Sequence, residues 1–386
     1  MSMKRVGVIG GGQLAWMMAD AANKLGVELV VQTPSQDDPA VSIAQETVFA
    51  PVDDAIATEI LAKKCDIITF ENEFVDLQAL SLLANQQVCF RPSLTALAPL
   101  LDKYHQRCYL KDLGLPVPDF FALDQDLDRV ESKIASLGFP VVLKSRRHGY
   151  DGQGTFIIAD KETWQQKLNL IHNQTANQSL YLIEEFVPFT QELAIIAARS
   201  VDGEIVNYPV VETQQQQQVC RRVIAPAAIT TQQGAKIAAI AHTLLHNLQA
   251  VGIFGIELFL TIDGQVLVNE IAPRTHNSGH FSLDACQTSQ FEQHLRAVCG
   301  LPLGDPSMKA DAAVMVNLLG YENSQIDYKN KLQQLTAIPQ THVHWYGKTE
   351  LRPGRKLGHV TVLLEHQHRD TAIAIAQNIE SIWYPS

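Results

Sequence analysis

Two glutamates, Glu257 and Glu270, stand on either side of Asp263-Gly264 in the segment VGIFGIELFLTIDGQVLVNEIAPRTHNS, residues 251–278. The flanking residues are mostly apolar. An Asp-Gly pair between hydrophobic runs signals a hairpin, because both turn positions need positive φ. With Asp263-Gly264 as a two-residue turn, counting outward sets Ile262 opposite Gln265, Leu260 opposite Leu267 and Glu257 opposite Glu270. Directly opposed residues have Cβ atoms about 4.5–5.5 Å apart. Two carboxylates at ~5 Å repel by about 3 kcal/mol at an effective dielectric near 20. A divalent cation between them relieves that repulsion. Mg2+ suits the place, being held by one or two carboxylates together with substrate phosphates. The alternative is an exposed hairpin end with two solvated glutamates.

Directly after Glu270 come Arg274, His276, Asn277 and Ser278, a polar cluster suited to a small oxyanion. Lys144 ends an apolar stretch and is followed by Gly149-Tyr150-Asp151-Gly152-Gln153-Gly154. A lysine beside a glycine loop grips phosphate, since bare backbone can approach the oxygens. It is not a P-loop, because GK[ST] is missing and a strand follows. An ordinary hairpin with a long loop is the competing reading, and the nearby Arg146 and Arg147 favour an anion. Gly10-Gly11-Gly12-Gln13-Leu14-Ala15 fits a loose G-x-G-x-x-A turn between strand and helix. The second strand ends Val31-Gln32-Thr33-Pro34, without the acid a dinucleotide site needs about 20 positions on. That leaves a smaller phosphate ligand or a purely structural turn. Glu184, Glu185 and Glu192 read either as nucleotide contacts or as surface charge. Lys348, Arg352, Arg355 and Lys356 form a basic knot, either a solubility patch or a grip on an anionic substrate.

The elements that carry these residues follow from periodicity. Strands at 4–9, 27–32, 65–70 and 88–90 alternate with helices, which gives an α/β unit with a doubly wound parallel sheet. From about 119 an α+β pattern takes over, with strands at 140–144, 155–158, 180–187, 192–199 and 205–211. The glutamine run at 214–218 reads as a polar loop insert without chemistry. Residues 232–248 carry a helical stripe at Ile237, Ile240, Leu244, Leu245 and Leu248. A last, smaller unit has strands at 313–318, 343–346 and 359–364.

The 386 residues suffice for two or three domains, and 46% hydrophobic with 18% charged residues is a globular composition. A net charge of −11 argues against a general nucleic-acid or membrane-surface binder. No apolar run reaches the ~18 residues of a membrane span, and the start is not a signal peptide. The expectation is a cytoplasmic protein. Its six scattered cysteines then read as free thiols.

Taken in order, the hairpin acids, strand-end lysine and phosphate loop resemble the ATP-grasp ligases. The chain is similar over essentially its whole length to the N5-carboxyaminoimidazole ribonucleotide synthases. The resemblance rests on GGGQL at 10–14, TFENE at 69–73, GYDGQG at 149–154, NEIAPRTHNSGH at 269–280 and HWYGK…RPGRKLGH at 344–359. It implies an ATP-grasp fold in three parts: a Rossmann-like unit at 1–100, a nucleotide-binding unit at 101–305 and a small unit at 306–386. It also implies a homodimer and a reaction. ATP phosphorylates bicarbonate to carboxyphosphate, and aminoimidazole ribonucleotide captures the carboxyl.

By matching positions, Arg107, Lys144, the loop Gly149 to Thr155, Glu184, Glu185, Phe186, Val187, Glu192, Gln215, Asn269 and Glu270 hold ATP. Glu257 and Glu270 hold Mg2+. Arg274, His276, Asn277 and Ser278 take bicarbonate. Gly12, Gln13, Leu14, Glu73, Tyr150, Asp151, Lys348, Arg355 and Lys356 position the ribonucleotide, and Lys348 also joins the catalytic set. Three departures stand out. Ala15-Trp16 replace Gly-Arg, Gln153 replaces a basic residue, and Gln215 replaces a histidine. A related ligase, such as a formate-dependent glycinamide ribonucleotide transformylase, is one alternative. A non-catalytic ATP-binding regulator is another. A nicotinamide oxidoreductase rests only on the first glycine turn.

Overall fold

The computed structural model describes residues 3–123, 126–147, 149, 154–173, 181–323, 328–348, 351–366 and 368–384. Tyr150, Asp151, Gly152 and Gln153 therefore lie outside the described residues. Among those described, the strands form three sheets.

The first sheet contains β1 (Lys4–Ile9), β2 (Val27–Thr33), β3 (Glu46–Phe49) and β4 (Ile67–Phe70) in the order β3-β2-β1-β4, all parallel. The centre of the sheet is apolar and buried, with Val6, Val8, Ile9, Leu29, Val30, Val31, Ile67, Ile68 and Phe70 in the core, while edge strand β3 is only partly covered. Asp54 and Asp76 cap the helices Ala55–Ala62 and Leu77–Asn85 by accepting from first-turn N–H groups. The expected strand at 88–90 shrinks to a single bridge, Phe90 to Ile68. Arg91 N–H still donates to Ile68 O, but Pro92 next to it has no N–H to extend the ladder.

The second sheet is formed by four strands, β5 (Phe120–Ala122), β6 (Val141–Ser145), β7 (Thr155–Ile158) and β8 (Tyr181–Glu185), ordered β5-β8-β6-β7 and antiparallel. Here β6 and β7 are the two arms of a hairpin, and the glycine loop joins them.

The third sheet is the largest. It contains β9 (Phe189–Arg199), β10 (Ile205–Asn207), β11 (Val211–Gln216), β12 (Val219–Ala225), β13 (Gly252–Thr261), β14 (Val266–Ala272), β15 (Ala312–Leu319), β16 (Thr341–Trp345) and β17 (Lys356–Leu364). The order is β14-β13-β9-β11-β12-β15-β17-β16, with β10 on the far end of β9. The strands of the last unit thus continue the central sheet through the β12–β15 ladder. The glutamine run is not a loop insert. Gln214–Gln216 end β11, while Gln217 and Gln218 make the turn into β12 at φ 52° and 62°. The helix Thr231–Leu248, opened by a capping box of Thr230 and Gln233, lays its stripe on the back of this sheet. Each fully buried leucine or isoleucine there contributes about 1.5–3 kcal/mol.

No helix among the described residues is long and apolar enough to cross a membrane. All six cysteines are free.

Candidate functional site

The β13–β14 hairpin differs from the sequence reading in two places that cancel. Thr261 N donates to Gln265 O and Gly264 N to Thr261 O, so the loop has three residues, not two. Gly264 supplies the positive φ at 78°, as a type I turn closed by a left-handed residue requires. Leu260 then faces Val266, and Phe259 faces Leu267. A bulge follows between Glu257 and Leu258, with Asn269 as the extra residue, and it restores Glu257 opposite Glu270. A bulge of this kind re-aims side chains. Here Asn269 and Glu270, though consecutive, both turn to the face that carries Glu257.

Glu192 joins them. It lies on β9, whose Ala194 is registered against Glu257, so Glu192 shares that face one pleat away. Three carboxylates therefore gather on adjacent strands. Burial first, and Glu270 second, push the Glu257 carboxyl up to about 7. Burial first, and Glu257 second, push Glu192 up to about 7. Glu270 goes the other way. Burial opposes its charge, but Lys103 at 2.5 Å and Lys144 outweigh burial and hold its carboxyl low. These hard, crowded oxygens suit a divalent cation.

Lys144 stands opposite. Its Nζ lies 2.7 Å from Glu184 and donates to Asn269 Oδ1 at 3.0 Å. Burial lowers its pKa. Arg107 Nε donates to the other Glu184 oxygen at 2.5 Å. Burial alone would raise the Glu184 carboxyl, yet Arg107 and Lys144 hold it down at about 2. Glu184 is thus a buried clamp on two cations, whereas Glu185 and Phe186 are turned outward and Val187 is buried. Arg146 does not join them, since its guanidinium is spent on Asp102 at 2.9–3.1 Å. Gly149 and Thr155 flank the loop, with Thr155 registered against Lys144. Gln215 is exposed near the end of β11, two residues past Thr213, which faces Glu192.

The polar loop after β14 is built tightly. His276 stands over Gly255, where a Cβ would meet its ring 2.7 Å away, so only glycine fits. The Ser278 N–H donates to His276 Nδ1. The ring hydrogen therefore sits on Nε2, which faces Glu257 Oε1 at 3.4 Å. Ser278 Oγ lies 2.8 Å from the same Nδ1. Buried Gln290 accepts from His276 N–H at 2.9 Å and donates to His276 O at 2.8 Å, gripping the loop from both sides. Arg274 makes a two-point ion pair with Glu73, at 2.6 and 3.1 Å, which ties the first unit to the loop.

The basic knot divides. Lys348 Nζ donates to Gln13 Oε1 at 2.6 Å, so the last unit reaches the first glycine turn. Arg355 and Lys356 are half-buried and Arg352 is exposed. Lys356 contributes to lowering Glu257. The turn itself is not an open phosphate cradle. The Glu71 carboxylate sits against Gly12 and accepts from Leu14 N–H at 3.3 Å. Burial raises its pKa first, which those N–H groups partly offset. Trp16 packs edge-on against Tyr346 at 6.1 Å. Below the loop, Asp284 accepts from His344 Nε2 at 2.8 Å, and His344 stacks on His359 at 4.5 Å and 14°. One ligand atom from each of Asp284, His344 and His359 lies within 4.8 Å of the others.

Sequence reasoning missed Lys103, Glu71 and Gln290. Lys103 lies just after a cap residue, Glu71 in a motif noticed only as a string, and Gln290 in a helix first turn. None of those positions has a spacing that announces chemistry.

Residues 108–291 match the ATP-grasp domain. Residues 3–99 match the ribonucleotide synthetase preATP-grasp domain, and 313–371 the phosphoribosylaminoimidazole carboxylase C-terminal domain. Fold and site together define an ATP-grasp carbon–nitrogen ligase. The N5-carboxyaminoimidazole ribonucleotide synthase of Synechococcus elongatus is 54% identical over 385 residues, 99% of this chain and 96% of the relative. A solved N5-carboxyaminoimidazole ribonucleotide synthetase from Thermotoga maritima is 40% identical with a TM-score of 0.86, covering 98% of both chains. The Aspergillus clavatus synthase, solved with ADP and 5-aminoimidazole ribonucleotide, is 30% identical with a TM-score of 0.88, again covering 98% of both. The chain belongs to the N5-carboxyaminoimidazole ribonucleotide synthase family.

Proposed function

We propose that this chain carboxylates 5-aminoimidazole ribonucleotide with bicarbonate at the expense of ATP, giving N5-carboxyaminoimidazole ribonucleotide, ADP and phosphate in purine biosynthesis. One observation carries the reading. Three sheet glutamates, the Lys144 pocket and the His276–Ser278 loop share one face, and Lys348 links that face's last unit to Gln13. The family relationship and the relative held with ADP and aminoimidazole ribonucleotide support it.

A bicarbonate oxygen attacks the γ-phosphorus and the bond to ADP breaks, forming carboxyphosphate. Carboxyphosphate splits to carbon dioxide and phosphate. The acceptor's amino nitrogen attacks the carbon and gives up a proton. Arg107, Lys144, Asn269, the 149–155 loop with Tyr150, Asp151, Gly152 and Gln153, the 184–187 segment, Glu192 and Gln215 hold the nucleotide. Arg274, His276, Asn277 and Ser278 hold bicarbonate and the acyl phosphate. Cations and N–H donors aimed at developing negative charge stabilise such steps more than water does. Gly12, Gln13, Leu14, Glu73, Lys348, Arg355 and Lys356 position the ribonucleotide. Glu257 and Glu270, with Glu192 beside them, fit Mg2+, which supplies charge neutralisation at the triphosphate. The units 1–100, 101–305 and 306–386 work together, in a homodimer in the cytoplasm.

ADP release with a panel of acceptors tests this. Bicarbonate plus aminoimidazole ribonucleotide should stimulate release well above ATP alone. Equal rates with and without the two substrates would reject the reading.

A further inference from the structure

The side chain of Asn277 is not free to choose its orientation. Its Nδ2 donates to Asn317 Oδ1 at 2.9 Å, and its Oδ1 accepts from Asn317 Nδ2 at 2.8 Å. Asn317 lies on β15, in the last unit, and is fully buried, while Asn277 is 8% exposed. Two facing amides form this pair equally well in either sense, with both side chains flipped together. A third group breaks the tie. Asn317 Nδ2 also donates to the backbone carbonyl of Cys220 at 2.9 Å. A carbonyl only accepts, so the nitrogen of Asn317 must face it. That assigns Asn317, and through the reciprocal pair it assigns Asn277.

The consequence falls on the donor count. Asn317 spends both N–H groups, one on Cys220 and one on Asn277. Asn277 spends one N–H on Asn317 and keeps one. A flipped Asn277 would instead present a lone pair to an incoming anion, which repels it. We propose that Asn317 is a positioning residue. Anchored by the Cys220 carbonyl, it locks the Asn277 amide so that the remaining N–H is offered to bicarbonate and to the acyl phosphate formed from it. This rests on the reading of Asn277 as an oxyanion ligand. It gives the last unit a duty besides ribonucleotide binding, because β15 sets the polarity of a donor in the loop after β14.

A double-mutant cycle on the full-length enzyme tests it, using Asn277→Ala, Asn317→Leu and the pair together. Loss of one oxyanion donor costs on the order of 10²-fold. Asn317→Leu should lower kcat/KM for bicarbonate by ~30- to 100-fold and leave KM for ATP within about 2-fold. In the Asn277→Ala background the same change should cost less than about 2-fold, because no amide is left to orient. If Asn317→Leu does not fold, Asn317→Ser serves. Its hydroxyl is too short to reach Asn277, and the same bicarbonate defect is expected. Additive losses in the pair, or equal losses for ATP and bicarbonate, would overturn the positioning role. An Asn277→Ala enzyme with unchanged KM for bicarbonate would overturn the oxyanion reading itself.

Discussion

Cation binding should release protons, in an amount fixed by pH. Burial first pushes both the Glu257 and the Glu192 carboxyls up to about 7 in the free protein, with Glu270 adding to the first and Glu257 to the second. At pH 6 they hold about 1.8 protons between them, and at pH 8 about 0.2. A dication between the carboxylates drives both titrations far down, so those protons leave. By linkage, apparent Mg2+ affinity should tighten about 100-fold from pH 6 to pH 8. The sign for stability is opposite. A carboxyl raised in the folded state stabilises fully below its unfolded value of ~4.5, and that contribution is lost as pH rises through ~7. The ion-free protein should therefore lose this contribution across that window, and Mg2+ should restore it. Calorimetric titration with Mg2+ in two buffers of different ionisation heat reads the proton count directly. Glu257→Gln should reduce release at pH 6 to less than ~0.9 protons, since Glu192 also loses its repelling neighbour. Proton release near zero at pH 6, or an affinity flat from pH 6 to 8, would refute the reasoning.

Three further outcomes follow from named contacts. Glu270→Ala should abolish turnover while leaving the thermal melt nearly unchanged, because Glu270 is half-buried and its partner Lys103 can turn to solvent. An active Glu270→Ala enzyme would count against the cation site. Lys348→Ala should raise KM for the ribonucleotide at least ~10-fold and that for ATP less than ~2-fold, since it removes one charged contact near the glycine turn; equal changes would contradict the division of labour. Glu184→Gln should lower stability by about 3 kcal/mol, seen in denaturant melts, because Arg107 and Lys144 lose their buried counter-charge. In the parent enzyme this contribution is present above the unfolded value of ~4.5 and fades as pH falls toward about 2.

Much of this was legible in the chain, for physical reasons that differ by element. Apolar runs fixed β1, β2 and β4, and the helical stripe on Ile237 to Leu248 fixed the helix behind the central sheet. The acidic pair was foreseen with the wrong turn and no bulge, and two one-residue errors cancelled. Bulges leave no trace in hydrophobic alternation, so counting could not have placed Asn269 beside Glu270. The glutamine run hid a strand end because polar side chains at an exposed hairpin carry no period. The roles of Glu184 and Glu71 depended on which charges tertiary packing brings near. Glu184 is clamped by cations from two other elements, and Glu71 fills a turn that the sequence left as either a small-phosphate site or a purely structural turn.

The route of oxygen tests the central claim most directly. With bicarbonate labelled in all three oxygens by 18O, attack on the γ-phosphorus carries one labelled oxygen into each inorganic phosphate released. The account predicts close to one 18O per phosphate, formed only when ATP, bicarbonate and aminoimidazole ribonucleotide are all turning over. Phosphate without label would mean that bicarbonate is never phosphorylated, and the acyl phosphate chemistry assigned to this site would be wrong.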